Sequence, residues 1–198
     1  MGFVLLLKRL LPKKFQYDSG DNSSNIVTID GILKAILAMS ENRAIGKNGA
    51  LPWTSIKEDF KWFKEFTINK ALVVGRTTFN TLPKLKDREC YVVTNNSPMS
   101  TVGFYTVKEN SNGYRCKEIN IAHLHETIKL NAPDSDNWIV AGGAKTYELF
   151  LPYITEFYVT HVNGTYDADT FMPPFEHLFS KQEVVREFDK HRVIKYTL

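Results

Sequence analysis

The chain carries only two cysteines in 198 residues. Cys90 and Cys116 lack the spacing of metal ligands, and two thiols make no disulfide framework. Cys90 falls in a strand pattern and reads as a small core hydrophobe. No apolar run approaches the ~18 residues of a membrane span. Excess charge is scarce as well, with 25 Lys and Arg against 22 Asp and Glu. The net +3 fits a solvated surface. It would also suit a cleft for anionic ligands. No basic run reaches the density of a nucleic-acid patch. His123 and His125 fall in an expected helix near 120–130, where a two-residue offset sets them about 200° apart. No metal site is expected.

A hydrophobic content of 43% with 24% charged residues is ordinary for a globular protein. The length suits one domain with its own core. Residues 1–31 look foreign to the rest. Gly2 to Leu7 is a short apolar run, and Lys8, Arg9, Lys13 and Lys14 follow it, the reverse of a secretory signal. Leu6 stands where a myristoylation motif wants Ser or Thr. Asp18 to Ser24 reads as a linker. The expectation is a disordered or loosely docked extension of no catalytic importance, with a domain over 32–198. An organelle-targeting peptide and a mistranslated upstream extension are the alternatives.

One stretch, Leu51 to Phe66, organises the remainder. Pro52-Trp53 ends a loop, and Ser55 with Glu58 fits a capping box that opens a helix running to about Thr67. Ile56, Phe60, Phe63 and Phe66 form its apolar stripe. Asp59 lies on that stripe among apolar neighbours. A carboxylate aimed at a core is costly unless something pairs with it. Asp59 is therefore either the half-wet boundary of the stripe or a ligand-facing acid in a cleft. Glu58, off the stripe, is the weaker candidate.

The strand candidates are 32–39, 71–74, 90–93, 138–141 and 156–162, with 103–107 less distinct. Val184 to Phe188 and Arg192 to Tyr196 alternate and predict a terminal hairpin. Ser40 to Gly49 reads as a loop, and Ser111 to Lys117 as a surface excursion. Strands ending near Val74, Val93 and Ala141 each hand over to Gly, Thr or Asn. In open α/β sheets, ligands bind outside the carboxyl ends of the strands. The fold class expected is α/β, a three-layer sandwich with a central, mostly parallel twisted sheet and an antiparallel C-terminal hairpin.

Five stretches come in one order: Ala38 to Gly46; Leu51-Pro52-Trp53 with Asp59 and Trp62-Phe63-Lys64; Val74-Gly75-Arg76-Thr77-Thr78-Phe79; Ile139 to Tyr147; and Tyr158-Val159-Thr160-His161 with Asp169-Thr170. Together they resemble dihydrofolate reductase, over about Leu33 to Leu198. The resemblance implies NADPH-dependent reduction of 7,8-dihydrofolate to tetrahydrofolate, serving one-carbon and thymidylate metabolism. It makes Asp59 the catalytic acid, with Thr160 steadying it and Trp53 on the loop over the nicotinamide. It places Ile36, Leu37, Leu51, Phe60, Phe63, Leu82, Leu85, Ala141 and Tyr147 around the substrate's rings, and Arg88 at its glutamate carboxylate. It places Ala38, Ile45, Gly75, Arg76, Thr77, Thr78, Thr94, Asn95, Gly142, Gly143, Ala144, Lys145, Thr146 and Thr170 at the cofactor. Arg76 and Lys145 would favour the 2′-phosphate, and Gly142-Gly143 matches a glycine pair joined by a cis peptide. Lys86-Asp87 departs from the Pro-Gly common before the arginine, and Leu51 replaces a frequent methionine. A cytoplasmic monomer that binds antifolates, and neither nucleic acid nor membrane, is implied. The alternatives are a riboflavin-pathway type of reductase and a non-enzymatic nucleotide- or nucleic-acid-binding domain.

Overall fold

A computed structural model describes residues 33–94, 105–120, 124 and 137–198. The 1–31 extension, Asn95 and the two histidines expected on a helix lie outside them. Eleven strands and three α-helices follow one another among the described residues. They are β1 (Leu33–Ser40), β2 (Ala44–Gly46), α1 (Lys57–Thr67), β3 (Ala71–Gly75), α2 (Arg76–Thr81), β4 (Glu89–Thr94), β5 (Tyr105–Glu109) and β6 (Arg115–Asn120). Then come β7 (Trp138–Val140), α3 (Ala144–Phe150), β8 (Ile154–Val162), β9 (Thr170–Phe171), β10 (Lys181–Glu187) and β11 (His191–Thr197).

Nine strands form one sheet in the order β10-β11-β8-β1-β7-β3-β4-β6-β5. Its middle is parallel, from β8 through β6. Both flanks are antiparallel, through β5 on one side and the β10–β11 hairpin on the other. The central strands are near-continuous Val, Leu, Ile and Ala because both faces are covered. On one face Ile36, Leu72 and Ile139 pack under Trp62, Phe63 and Phe66 of α1, and Val74, Cys90, Val92 and Cys116 under Phe79 of α2. On the other, Leu37, Val73, Val140, Phe157 and Val159 meet Tyr147 and Phe150 of α3. The three-layer sandwich is as expected, and so is the terminal hairpin.

Three expectations need correction. Helix α1 starts at Lys57 with Ile56 as its extended N-cap and no side-chain cap, so Ser55 and Glu58 form no capping box. The 40–49 segment is not all loop, because β2 within it pairs with β9. Nor is 111–117 wholly an excursion: only the turn before β6 is, and Cys116 and Glu118 are buried. The expected strands 32–39 and 103–107 are found as β1 and β5, shifted by a residue or two.

Candidate active site

Strand β1 supplies the floor. Its side chains alternate between faces, so Ile36 packs with Phe63 and Ala141 on the α1 face. Leu37 points the other way, into the core with Tyr147 and Phe157. The alternation therefore puts the Leu37 side chain on the opposite face of the sheet from Ile36, away from the side expected to hold the substrate. Ala38 lies beside Thr160 of β8. Tyr147 is buried too, and its hydroxyl donates to the Ile36 carbonyl at 2.6 Å.

Helix α1 lays Asp59 over this floor. Asp59 is 8% exposed, one of only two buried residues of the helix. Loss of hydration raises its carboxyl pKa; Thr160 and the charge of His191 pull it back. The Thr160 hydroxyl is near enough to act on the carboxylate, yet its buried Oγ1 makes no hydrogen bond of normal geometry. Trp53 is buried, edge-on to Tyr166, with an Nε1 that also lacks a protein partner. Buried polar atoms are rarely left unsatisfied, and functional sites are where exceptions collect. Phe60 behaves differently from its expected role in the apolar stripe. It is 49% exposed, as is Leu51 at 37%, so both stand at a rim rather than in a core. Phe63, Leu82 and Leu85 are half-buried, and the two leucines pack near Ala141.

The loop before Trp53 is tied to the far end of the chain. Arg43 donates Nε to the Met172 carbonyl (2.7 Å), Nη1 to Glu176 (2.7 Å) and Nη2 to the Pro173 carbonyl, and lies over the Phe175 ring. Its own backbone has φ 64°, a left-handed conformation. Further along, the Asn48 amide meets the Asp169 carboxylate, and Lys47 pairs with Asp167. Thr170 pairs with Gly46 in the β2–β9 ribbon, next to half-buried Ile45.

Strands β7, β3 and β4 are neighbours in the sheet, so their carboxyl ends lie side by side. The Gly75 amide donates to the Gly142 carbonyl at 2.7 Å, and Gly142-Gly143 is a cis peptide. A Cβ on Gly75 would come 2.7 Å from Thr146 Oγ1, and one on Gly143 would come 3.0 Å from Thr78 Oγ1. A side chain at Gly75 would force the Thr146 hydroxyl to shift, and one at Gly143 would press on the Thr78 hydroxyl. Arg76, Thr77, Thr78 and Thr94 surround the same edge, with Ala144 and exposed Lys145 opening α3. Thr77 and Thr78 do not cap α2, whose N-cap is Gly75.

A family model described as dihydrofolate reductase matches residues 32–198. The chain belongs to the dihydrofolate reductase family. It is 32% identical to dihydrofolate reductase type 8 of Escherichia coli over 168 residues, 83% of this chain and 94% of that one. It is 28% identical to dihydrofolate reductase of Staphylococcus haemolyticus over 142 residues, 71% of this chain and 76% of that one. Among solved structures it resembles dihydrofolate reductase from Enterococcus faecalis complexed with NADP(H) and RAB-propyl. That likeness has a TM-score of 0.62 at 26% identity, covering 84% of this chain and 96% of the other.

Arg88 is already engaged. It donates to Thr67 Oγ1 (2.8 Å) and to the Lys86 and Lys64 carbonyls (2.8 and 3.1 Å), bracing the carboxyl end of α1. An open groove of about 320 Å³ lies beside Lys34, Trp62, Phe66, Lys70 and Arg186 and contains none of the expected site residues. Arg43, Asp169, His191 and Glu118 were not singled out from the sequence as site residues. Asp169 had a signal, as the neighbour of Thr170 in a matched motif. Arg43 likewise lies in a matched stretch, Ala38 to Gly46, whereas His191 and Glu118 had no signal, since their partners are far away in the chain.

Proposed function

We propose that the protein reduces 7,8-dihydrofolate to tetrahydrofolate with NADPH, and that Asp59 is the residue that grips the pterin. The observation that carries this is Asp59 itself, a carboxylate buried among apolar side chains with its pKa raised and Thr160 beside it. Such an acid can accept two parallel hydrogen bonds from the amino group and adjacent ring nitrogen of a pterin, a strong and directional pairing. The pairing restores the hydration that burial removed. It fixes the ring over Ile36 and Ala38, with Phe60, Phe63, Leu51, Leu82 and Leu85 around the substrate's rings and tail. Arg88 can turn its remaining N–H groups to the glutamate carboxylate, while its bonds to α1 keep it in place.

Bound NADPH supplies the hydride. The residues present fit it. Gly75, Gly142 and Gly143 leave backbone exposed where side chains would intrude, Thr78 and Thr146 stand over them, and Arg76, Thr94 and Lys145 ring the adenosine end. Trp53 and the Arg43-anchored loop cover the reacting centre and exclude water. Asp59 orients the ring as a carboxylate, and the ring nitrogen takes up its proton through water near Asp59. The protein acts as a cytoplasmic monomer; among the described residues no helix is long and apolar enough to cross a membrane.

Purified protein should consume NADPH absorbance when dihydrofolate is added, and methotrexate should stop it. Stable absorbance from folded protein would end this reading in favour of a non-catalytic binding domain.

A further inference from the structure

Glu118 takes no part in the chemistry above, yet it is only 8% exposed. Strand pairing sets it beside Val92. Alternation along β6 puts it on the face of Cys116, under α2. A carboxylate so far from water needs a cation. It has two. Arg76, the first residue of α2, donates Nη2 to Oε1, and Lys108 of β5 lies 3.5 Å from Oε2. Lys108 is well exposed, so its pairing is weak. Arg76 is the closer partner and is on a second element. The guanidinium assigned to the cofactor's ribose phosphate thus already faces a fixed negative charge.

We infer that Glu118 sets how strongly the protein distinguishes a 2′-phosphorylated cofactor from one with a free 2′-hydroxyl. The inference rests on the cofactor role given to Arg76 above. The carboxylate draws the guanidinium toward β6 and repels a phosphate that approaches it. A free ribose hydroxyl meets no such repulsion. Glu118 therefore narrows the preference for NADPH over NADH, and removing its charge widens it.

The test is calorimetric titration with adenosine 2′,5′-bisphosphate and with AMP, which need no turnover. Glu118→Gln should tighten the bisphosphate about tenfold and shift AMP less than about twofold. The unmodified protein should bind the bisphosphate no more than about tenfold tighter than AMP, a measurement that stands even if the variant does not fold. A hundredfold preference in the unmodified protein would overturn the inference. So would a variant whose ratio stays fixed or falls, since Glu118 would then only hold Arg76 in position. Turnover of dihydrofolate by the same preparations separates the two readings. Turnover with an unmoved ratio removes the role of Glu118 alone, and absence of turnover removes the functional reading beneath it.

Discussion

The backbone N–H of Asn48 lies 2.6 Å from Oδ2 of Asp169, and the Asp169 N–H returns a bond to the Gly46 carbonyl at 3.1 Å. Two segments more than a hundred residues apart thus clasp each other directly before the Trp53 loop. The Asn48 amide, followed by the Thr170 hydroxyl, holds the Asp169 pKa below its ordinary value.

Asp169→Ala removes the acceptor and leaves the Asn48 amide to water. The loop proposed to lie over the nicotinamide then spends more time open. We expect kcat to fall roughly three- to tenfold, with a smaller loss in dihydrofolate binding. The clasp needs the ionised acid. Its contribution is present above the ordinary carboxylate range and fades as pH falls through the lowered folded pKa. Stopped-flow Trp fluorescence on NADPH binding checks it; identical loop kinetics in the variant would refute it.

Asp59→Asn should separate stability from activity. The folded carboxyl pKa is raised, so the native protein loses stability as pH climbs from about 3.8 through the raised value. Asparagine has no such penalty. We expect the variant to melt higher at pH 7–8, with the gain vanishing near pH 4. NADPH binding persists and most turnover at neutral pH is lost. Full turnover in the variant would move the acid elsewhere.

Arg43 ties its loop through three donors and the Phe175 ring. Arg43→Met keeps the length of the side chain and removes every donor, leaving the Met172 and Pro173 carbonyls without it. Urea unfolding should show a loss of about 2 kcal/mol with an unchanged slope. A midpoint that does not move would mean that the ribbon of β2 and β9 holds the loop unaided.

Cys90 and Cys116 occupy adjacent positions on neighbouring parallel strands and are both buried. Burial pushes the Cys90 thiol up to about 12 and raises Cys116 as well. Thiolate is the reactive form. An aromatic disulfide reagent at pH 8 should therefore titrate neither thiol in the folded protein over minutes, and both once guanidinium is added. Rapid reaction of either in the folded state would contradict the packing of α2 over β4 and β6.

Local pattern was enough for the central strands and the terminal hairpin, because burial on two faces leaves a period in the chain; it singled out Asp59 on its stripe but left open whether that carboxylate is buried. It failed where distant pairing decides. Residues 44–46 and 170–171 are too short to show alternation, and they become strands only because they meet. Residues 115–117, read as part of a surface excursion, open strand β6, in which Cys116 is buried and the next acidic residue, Glu118, goes inside with Arg76 as its partner. Phe60 has the helical spacing of a core residue, yet it is 49% exposed. In the site, the glycine pair and the hydroxyls were legible by motif. The Arg43 anchor was not, because its left-handed backbone and carbonyl partners leave no trace in spacing.

Among the described residues, the two outermost strands, β10 and β5, each have one side without a neighbour. Along β10, Lys181, Glu183, Arg186 and Glu187 are all exposed, and the pairing slips a register between Val184 and Arg186. Lys108 and Glu109 hold the same position on β5. Unmated backbone amides invite another molecule to extend the sheet, and alternating charge with a kinked rail turns that invitation away. A nine-stranded platform can in this way remain in concentrated solution without growing into fibrils.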